Sequence, residues 1–348
     1  MPSIDPFVLS TRPYNGRWIQ VCRRTELERL TKSLIVTVVC AISIAPAVEA
    51  QDWRQREFPL APTNSTGNFV APYFDGFYQN EDGTYTLSFG FMNRNDSELI
   101  EIELGANNFI EPAEYDGVQP TSFPTVRYSG FGGPRERGVF AVVVPEDFEG
   151  DVWWTLRTDG YETKVPGRLV SPGQIITGAY ELSSGPMAAG SLRPTIHWTQ
   201  DDPGAWGING TWKPETLTTT VGEPVDLSFW ARDRGERELG TINVSLWKYR
   251  GPIGGEISFE SMVEALPDAR PPRRGGRAPG PGPLLTRQTV KLPLEGPHAD
   301  HGRFTATFDT PGEYIIRVKV DSFGLTDSAP GHQCCWSNGY IRVSVTEQ

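Results

Sequence analysis

Cysteine is scarce in this sequence: four residues in 348, at positions 22, 40, 334 and 335. The last two are adjacent, so if the first two leave with an N-terminal leader, no covalent staple of the usual kind can cross between two packed sheets. Histidine is equally rare, at His197, His298, His301 and His332. Imidazole chemistry therefore has few places to reside. No GxSxG, HExxH, P-loop or dinucleotide fingerprint occurs. Basic residues number 32 against 43 acidic ones, a net charge of −11. A nucleic-acid binder usually shows a basic face, so the chain is a poor candidate for that class, and an acidic balance by itself mostly serves solubility. Long helical patterns are nearly absent as well.

Only one long apolar run is present, Leu34 to Val48, too short for a comfortable membrane-spanning helix. Arg23, Arg24, Arg29 and Lys32 precede it, and Val48-Glu49-Ala50 resembles a small-residue cleavage site. This layout predicts a secretory signal peptide over residues 1–50 and a mature chain from about Gln51. The other reading is a first buried helix. The basic stretch before the run is long and holds no second Met, which leaves the translation start open. Cleavage would remove Cys22 and Cys40. Export permits oxidation, so Cys334 and Cys335 have three fates: a strained vicinal ring, an intermolecular bridge, or thiols.

What the chain does have is glycine (37), proline (30) and many short runs of period two. Short strands punctuated by Gly/Pro turns predict sandwiches or barrels. The fold class read from this is all-β, with two β-sandwich domains after the leader. The clearest stretch is Gly302 to Val320. Phe304, Ala306 and Phe308 alternate with polar residues, Asp309 to Gly312 turns the chain, and Tyr314, Ile316, Val318 and Val320 alternate again. It reads as a hairpin with one face buried.

Residues 51–71 read as an arm and 72–170 as the first sandwich. Asn80-Glu81-Asp82-Gly83 and Asp159-Gly160 are hairpin turns. Gly105 to Arg137 has no convincing period. A loop of that length is often functional or disordered, and the plainer reading is a structural loop wrapped over a sheet edge. Residues 171–210 form a Pro- and Trp-rich connection with Trp198 and Trp206, and Trp212 follows at the start of the next unit. Such rings stack on sugars or act as glue between domains. The second sandwich covers 211–348, and a Pro/Gly/Arg-rich insertion at 267–283 predicts a mobile loop.

Val221-Gly222-Glu223-Pro224-Val225-Asp226-Leu227 with Ala231 to Gly235, and Asp309-Thr310-Pro311-Gly312-Glu313-Tyr314, carry a resemblance. They resemble segments of bacterial immunoglobulin-like and PKD-like extracellular domains. The likeness covers the C-terminal part alone and implies a seven-stranded Greek-key sandwich. It also implies that the Tyr314 hydroxyl bonds back to the chain, the tyrosine corner. No activity follows from it, since this architecture hosts many. The insertion and the Cys334-Cys335-Trp336 segment depart from the pattern.

The functional expectation is a periplasmic or extracellular, non-catalytic module that binds a partner protein or a glycan, with no cofactor. Candidate contact residues are Trp198, Trp206, Trp212, Tyr128, Phe131 and Arg135. One alternative is an accessory domain or subunit of a secreted enzyme, with its site in the 105–137 loop. Another is a copper- or zinc-handling protein using His298 and His301, with Cys334 nearby. A solvated loop explains the two histidines equally well. Paired acids such as Asp201-Asp202 sit in turn signals, where Asp suits the backbone.

Overall fold

A computed structural model describes residues 66–95, 97–125, 135–169, 190–236, 239–263, 287–296, 299–322 and 335–348. Among these described residues eighteen strands follow in order. The first eight are β1 (Val70–Gln79), β2 (Tyr85–Asn93), β3 (Ile100–Glu101), β4 (Asn108–Glu111), β5 (Ser122–Phe123), β6 (Glu136–Val144), β7 (Val152–Thr158) and β8 (Tyr161–Gly167). Next come β9 (Thr195–His197), β10 (Thr211–Trp212), β11 (Leu217–Thr220), β12 (Val225–Arg232) and β13 (Thr241–Arg250). The last five are β14 (Ile257–Ser261), β15 (Arg287–Pro293), β16 (His301–Phe308), β17 (Gly312–Asp321) and β18 (Trp336–Thr346). The protein is all-β. Among the described residues one 3-10 turn, Ala113–Tyr115, is the sole helical element, and no helix is long and apolar enough to cross a membrane.

The first sandwich faces sheet β1-β2-β6 against sheet β4-β7-β8. Leu87, Phe89 and Phe91 point from β2 into a core shared with Phe140, Trp154 and Leu156. Both expected hairpins form. Asn80 to Gly83 joins β1 to β2, and Asp159-Gly160 joins β7 to β8. Asp159 (φ 51°) and Gly160 (φ 81°) both adopt the left-handed region, which a two-residue turn matched to strand twist requires.

In the second sandwich, sheet β9-β12-β16-β14 faces sheet β10-β18-β17-β13-β15, and β11 also pairs with β18. This layout is compatible with an immunoglobulin-type sandwich. The chain departs from that type in one respect. It visits β14, on β16's edge, before β15, on β13's edge. The 267–283 insertion falls between them, outside the described residues.

The stretch expected as a hairpin is something else. β16 pairs with β12 and β14, whereas β17 pairs with β13 and β18. Asp309 to Gly312 is thus an arch from one sheet to the other. The Tyr314 hydroxyl donates to Thr310 O at 2.8 Å, closing the expected corner.

Desolvation, helped by nearby Asp309, pushes the Tyr314 hydroxyl up to about 12. Burial likewise raises Tyr249 and Tyr340. A raised folded value favours the protonated native state, so this stability is complete below about pH 10 and is lost as pH climbs toward 12. Urea midpoints should therefore fall steeply over that window. Tyr314→Phe should flatten the fall and cost about 1 kcal/mol at neutral pH through the lost hydrogen bond.

Candidate functional site

The alternation of β17 predicts that Arg317 and Lys319 face water. Instead Arg317 is 0% exposed and Lys319 4%, because a second core covers that face. Trp247, Tyr249 and Tyr340 leave the second sandwich's sheet to join the first sandwich's apolar cluster.

Between the two cores lies a charged seam. Arg317 Nη1 donates to Glu136 Oε1 at 3.0 Å, Nη2 to Gly138 O at 2.8 Å and Nε to Asn338 Oδ1 at 3.0 Å. Lys319 Nζ reaches the same Glu136 oxygen at 3.4 Å. Gly138 sits at φ 52°, and a Cβ there would lie 2.2 Å from the Trp336 ring nitrogen, so only glycine fits. Beside it, burial raises the Asp75 carboxyl, opposed by Arg135 at 3.0 Å and the Gly138 N–H at 2.8 Å.

A second contact zone holds the 105–125 segment. The Asn108 amide donates to Ile102 O and Pro120 O and accepts from Trp154 Nε1. Arg250 donates to Gln119 O at 2.8 Å and Gly117 O at 2.6 Å, and the Tyr249 hydroxyl to Val118 O. Buried Lys248 pairs with Glu101. What reads as an aperiodic loop therefore contains β4, β5 and a 3-10 turn, pinned against β13.

The candidate aromatics separate. Trp198 is 7% exposed and belongs to the second core, with its Nε1 donating to Thr211 Oγ1 at 3.2 Å. Trp212 is 39% exposed, but Tyr340 stacks on it at 4.9 Å and Arg342 lies 4.0 Å from its ring centre. Arg135 is engaged by Asp75 and lies 4.0 Å over the Tyr73 ring. Tyr128 and Phe131 fall outside the described residues, as do His298 and Cys334. His301 stacks on Trp230 at 4.2 Å, and its Nε2 is 2.8 Å from Ser228 Oγ. Among the described residues no group of three metal-ligating side chains assembles.

Trp206 stands apart from these. It is 43% exposed, and its backbone is held on both sides. Ala205 exchanges hydrogen bonds with Ile196 at 2.8 and 2.9 Å, and the Gly207 N–H donates to Ser337 Oγ at 3.0 Å. The preceding turn is fixed by Asp202. Its Oδ2 accepts from the Trp198 and Thr199 N–H groups and its Oδ1 from Gly204 N–H. Desolvation would raise this carboxyl, but those donors and His197 hold it below its ordinary value. Gly204, at φ 67°, lies so close to the His197 ring that a Cβ would approach within 2.5 Å.

Arg234 lies 4.6 Å over the Trp206 ring, and Arg193 lies 6.0 Å from it and 4.2 Å over Tyr78. Tyr78 comes from the first sandwich and Arg234 from the turn after β12. Three parts of the chain thus build one patch. Sequence reading singled out only Trp206. Arg193 sits in a Pro-broken stretch and Arg234 in a charged turn, and neither position carries a periodic signal.

The fold defines an all-β protein of packed sandwiches. No family model matches the sequence, and no curated protein matches it. Among solved structures, a collagen adhesin from S. aureus is similar at 6% identity and a TM-score of 0.17, covering 81% of this chain and 94% of that one. A likeness at that score carries no argument about what this chain binds.

Proposed function

We propose that this chain is an exported, non-catalytic binding module that recognises a protein or glycan partner through the Trp206 patch. The carrying observation is a half-exposed indole whose neighbours on both sides are locked by backbone hydrogen bonds. Interfaces draw most of their energy from a few rigid aromatic and arginine anchors, and pre-ordering lowers the entropy lost on binding. The signal layout of residues 1–50 supports export.

Trp206→Ala should weaken binding tenfold or more, about 1.4 kcal/mol, with little change in melting. Trp198→Ala should instead lower stability. A glycan array and an envelope pulldown with both variants test this. Capture left intact by Trp206→Ala would overturn the reading.

Cys335 is disulfide-bonded. With the leader removed, Cys334 is the cysteine that remains to pair with it, and we propose a vicinal bridge. Natively purified protein, alkylated and weighed intact, should take up no label until reduced. Two labelled thiols would refute the bridge.

A further inference from the structure

Among the described residues, Arg193 and Arg234 are two cations of an acidic protein that lack an acidic partner. The Arg193 side chain makes no hydrogen bond there, and Arg234 Nη1 has only Arg193 O, at a long 3.5 Å. Arg250, Arg303 and Arg342 also hold no carboxylate among the described residues, but none of them lies beside a second unpaired guanidinium over one ring. Arg135, Arg157, Arg168, Arg232 and Arg317 each hold a carboxylate within 3.0 Å.

The local electrostatics are unfavourable as they stand. Desolvation lowers the Arg193 guanidinium from its ordinary value; Tyr78 opposes this, and Arg234, a smaller influence, adds to it. Burying a cation beside a like charge costs free energy unless an anion joins them. What stabilises the pair here is aromatic: Tyr78 under Arg193 and Trp206 under Arg234. The fork of each guanidinium is left to accept a planar anion in two-point fashion.

Building on the binding-module reading, we propose that the Tyr78–Arg193–Trp206–Arg234 patch binds an acidic glycan. A uronate carboxylate would lie at the two guanidinia and its sugar ring against the exposed indole. A peptide acid that docks by strand addition is the weaker alternative for a reason visible in the backbone. Peptides commonly dock by adding a strand to an open sheet edge. The nearest edge strand, β9, is paired to β12 on one side and closed on the other by the Ile196–Ala205 bridge. A ring that needs only a flat apolar face and a carboxylate clamp suits this site better.

Oligosaccharides of galacturonate, mannuronate and glucuronate, with their methyl esters, would be titrated calorimetrically into the full mature protein. At least one acid should bind, and its ester should bind at least tenfold more weakly. Raising the salt concentration should weaken the acid's binding. Arg193→Gln and Arg234→Gln should each lose tenfold or more, while Arg342→Gln, beside Trp212, should match the unmodified protein.

No binding to any of the three acids overturns the proposal, as does equal binding of acid and ester. If esters bind and Trp206→Ala abolishes that binding, the patch reads neutral sugar and the binding-module reading survives. If an oligoglutamate peptide binds through both arginines and no uronate does, the ligand is a protein acid. If neither sugar, peptide nor envelope capture responds to Trp206→Ala, both readings fail together.

Discussion

Glu136→Ala should destabilise the protein by about 3–5 kcal/mol, the usual cost of removing one partner from a buried ion pair. Glu136 is 2% exposed, and its Oε1 meets both Arg317 and Lys319. Without it, two cations remain between apolar walls with one carbonyl and one amide oxygen to share. Water must enter, or the walls must part. The seam joins the two cores, so the variant should also lose cooperativity. Guanidinium unfolding should be single-step in the parent and split into two transitions in the variant when followed by tryptophan fluorescence and circular dichroism. The companion variant Glu136→Met with Arg317→Leu and Lys319→Leu separates charge from packing. It should recover parental stability or exceed it, because apolar replacement of a whole buried cluster removes the desolvation penalty. A loss below 1 kcal/mol for Glu136→Ala would show that the seam is wet and that coupling lies elsewhere.

Trp154→Ala should cost about 3–5 kcal/mol, in the range for emptying an aromatic site in a well-packed interior. Trp154 is 0% exposed and touches Phe140 edge-on at 4.8 Å and Phe123 at 6.2 Å. Its indole N–H also completes the Asn108 amide. The loss is therefore both a cavity and an unmet acceptor. Trp154→Phe should retain part of the packing and still lose the hydrogen bond. A double-mutant cycle with Asn108→Ala should show coupling of about 0.5–3 kcal/mol. Additive losses would mean that Asn108 holds the 105–125 segment without help from Trp154.

The strands were legible where one face is wet. The alternations of β12 and β16 place Leu227, Phe229, Phe304 and Phe308 inside, as their periods predict. The reading failed where a strand has two dry faces. In β17, Arg317 and Lys319 take the pattern of solvent-facing residues, yet Glu136 lets them be buried. A carboxylate 181 residues away in sequence is the compensating group, and no local period can report it. Pairing was misread at Asp309 to Gly312 because a hairpin and a sheet-to-sheet arch share the same alternation and the same turn residues. At the candidate site, Trp206 was legible as an aromatic. Its companions Tyr78 and Arg193 lie 128 and 13 residues away and meet it only through the fold. The exclusion of Trp198 depended on burial, which side-chain chemistry alone does not specify.

The position of β18 bears on how the polypeptide matures. It lies between β17 on one edge and β10 and β11 on the other, the latter two joined to it in parallel. A nascent chain emerging in order makes this middle strand after all of its neighbours, so that sheet stays gapped until residues 336–346 arrive. Tyr340, on the same strand, also completes the earlier half's interior. The interior of the earlier half and the sheet of the later one thus both wait on the same late strand.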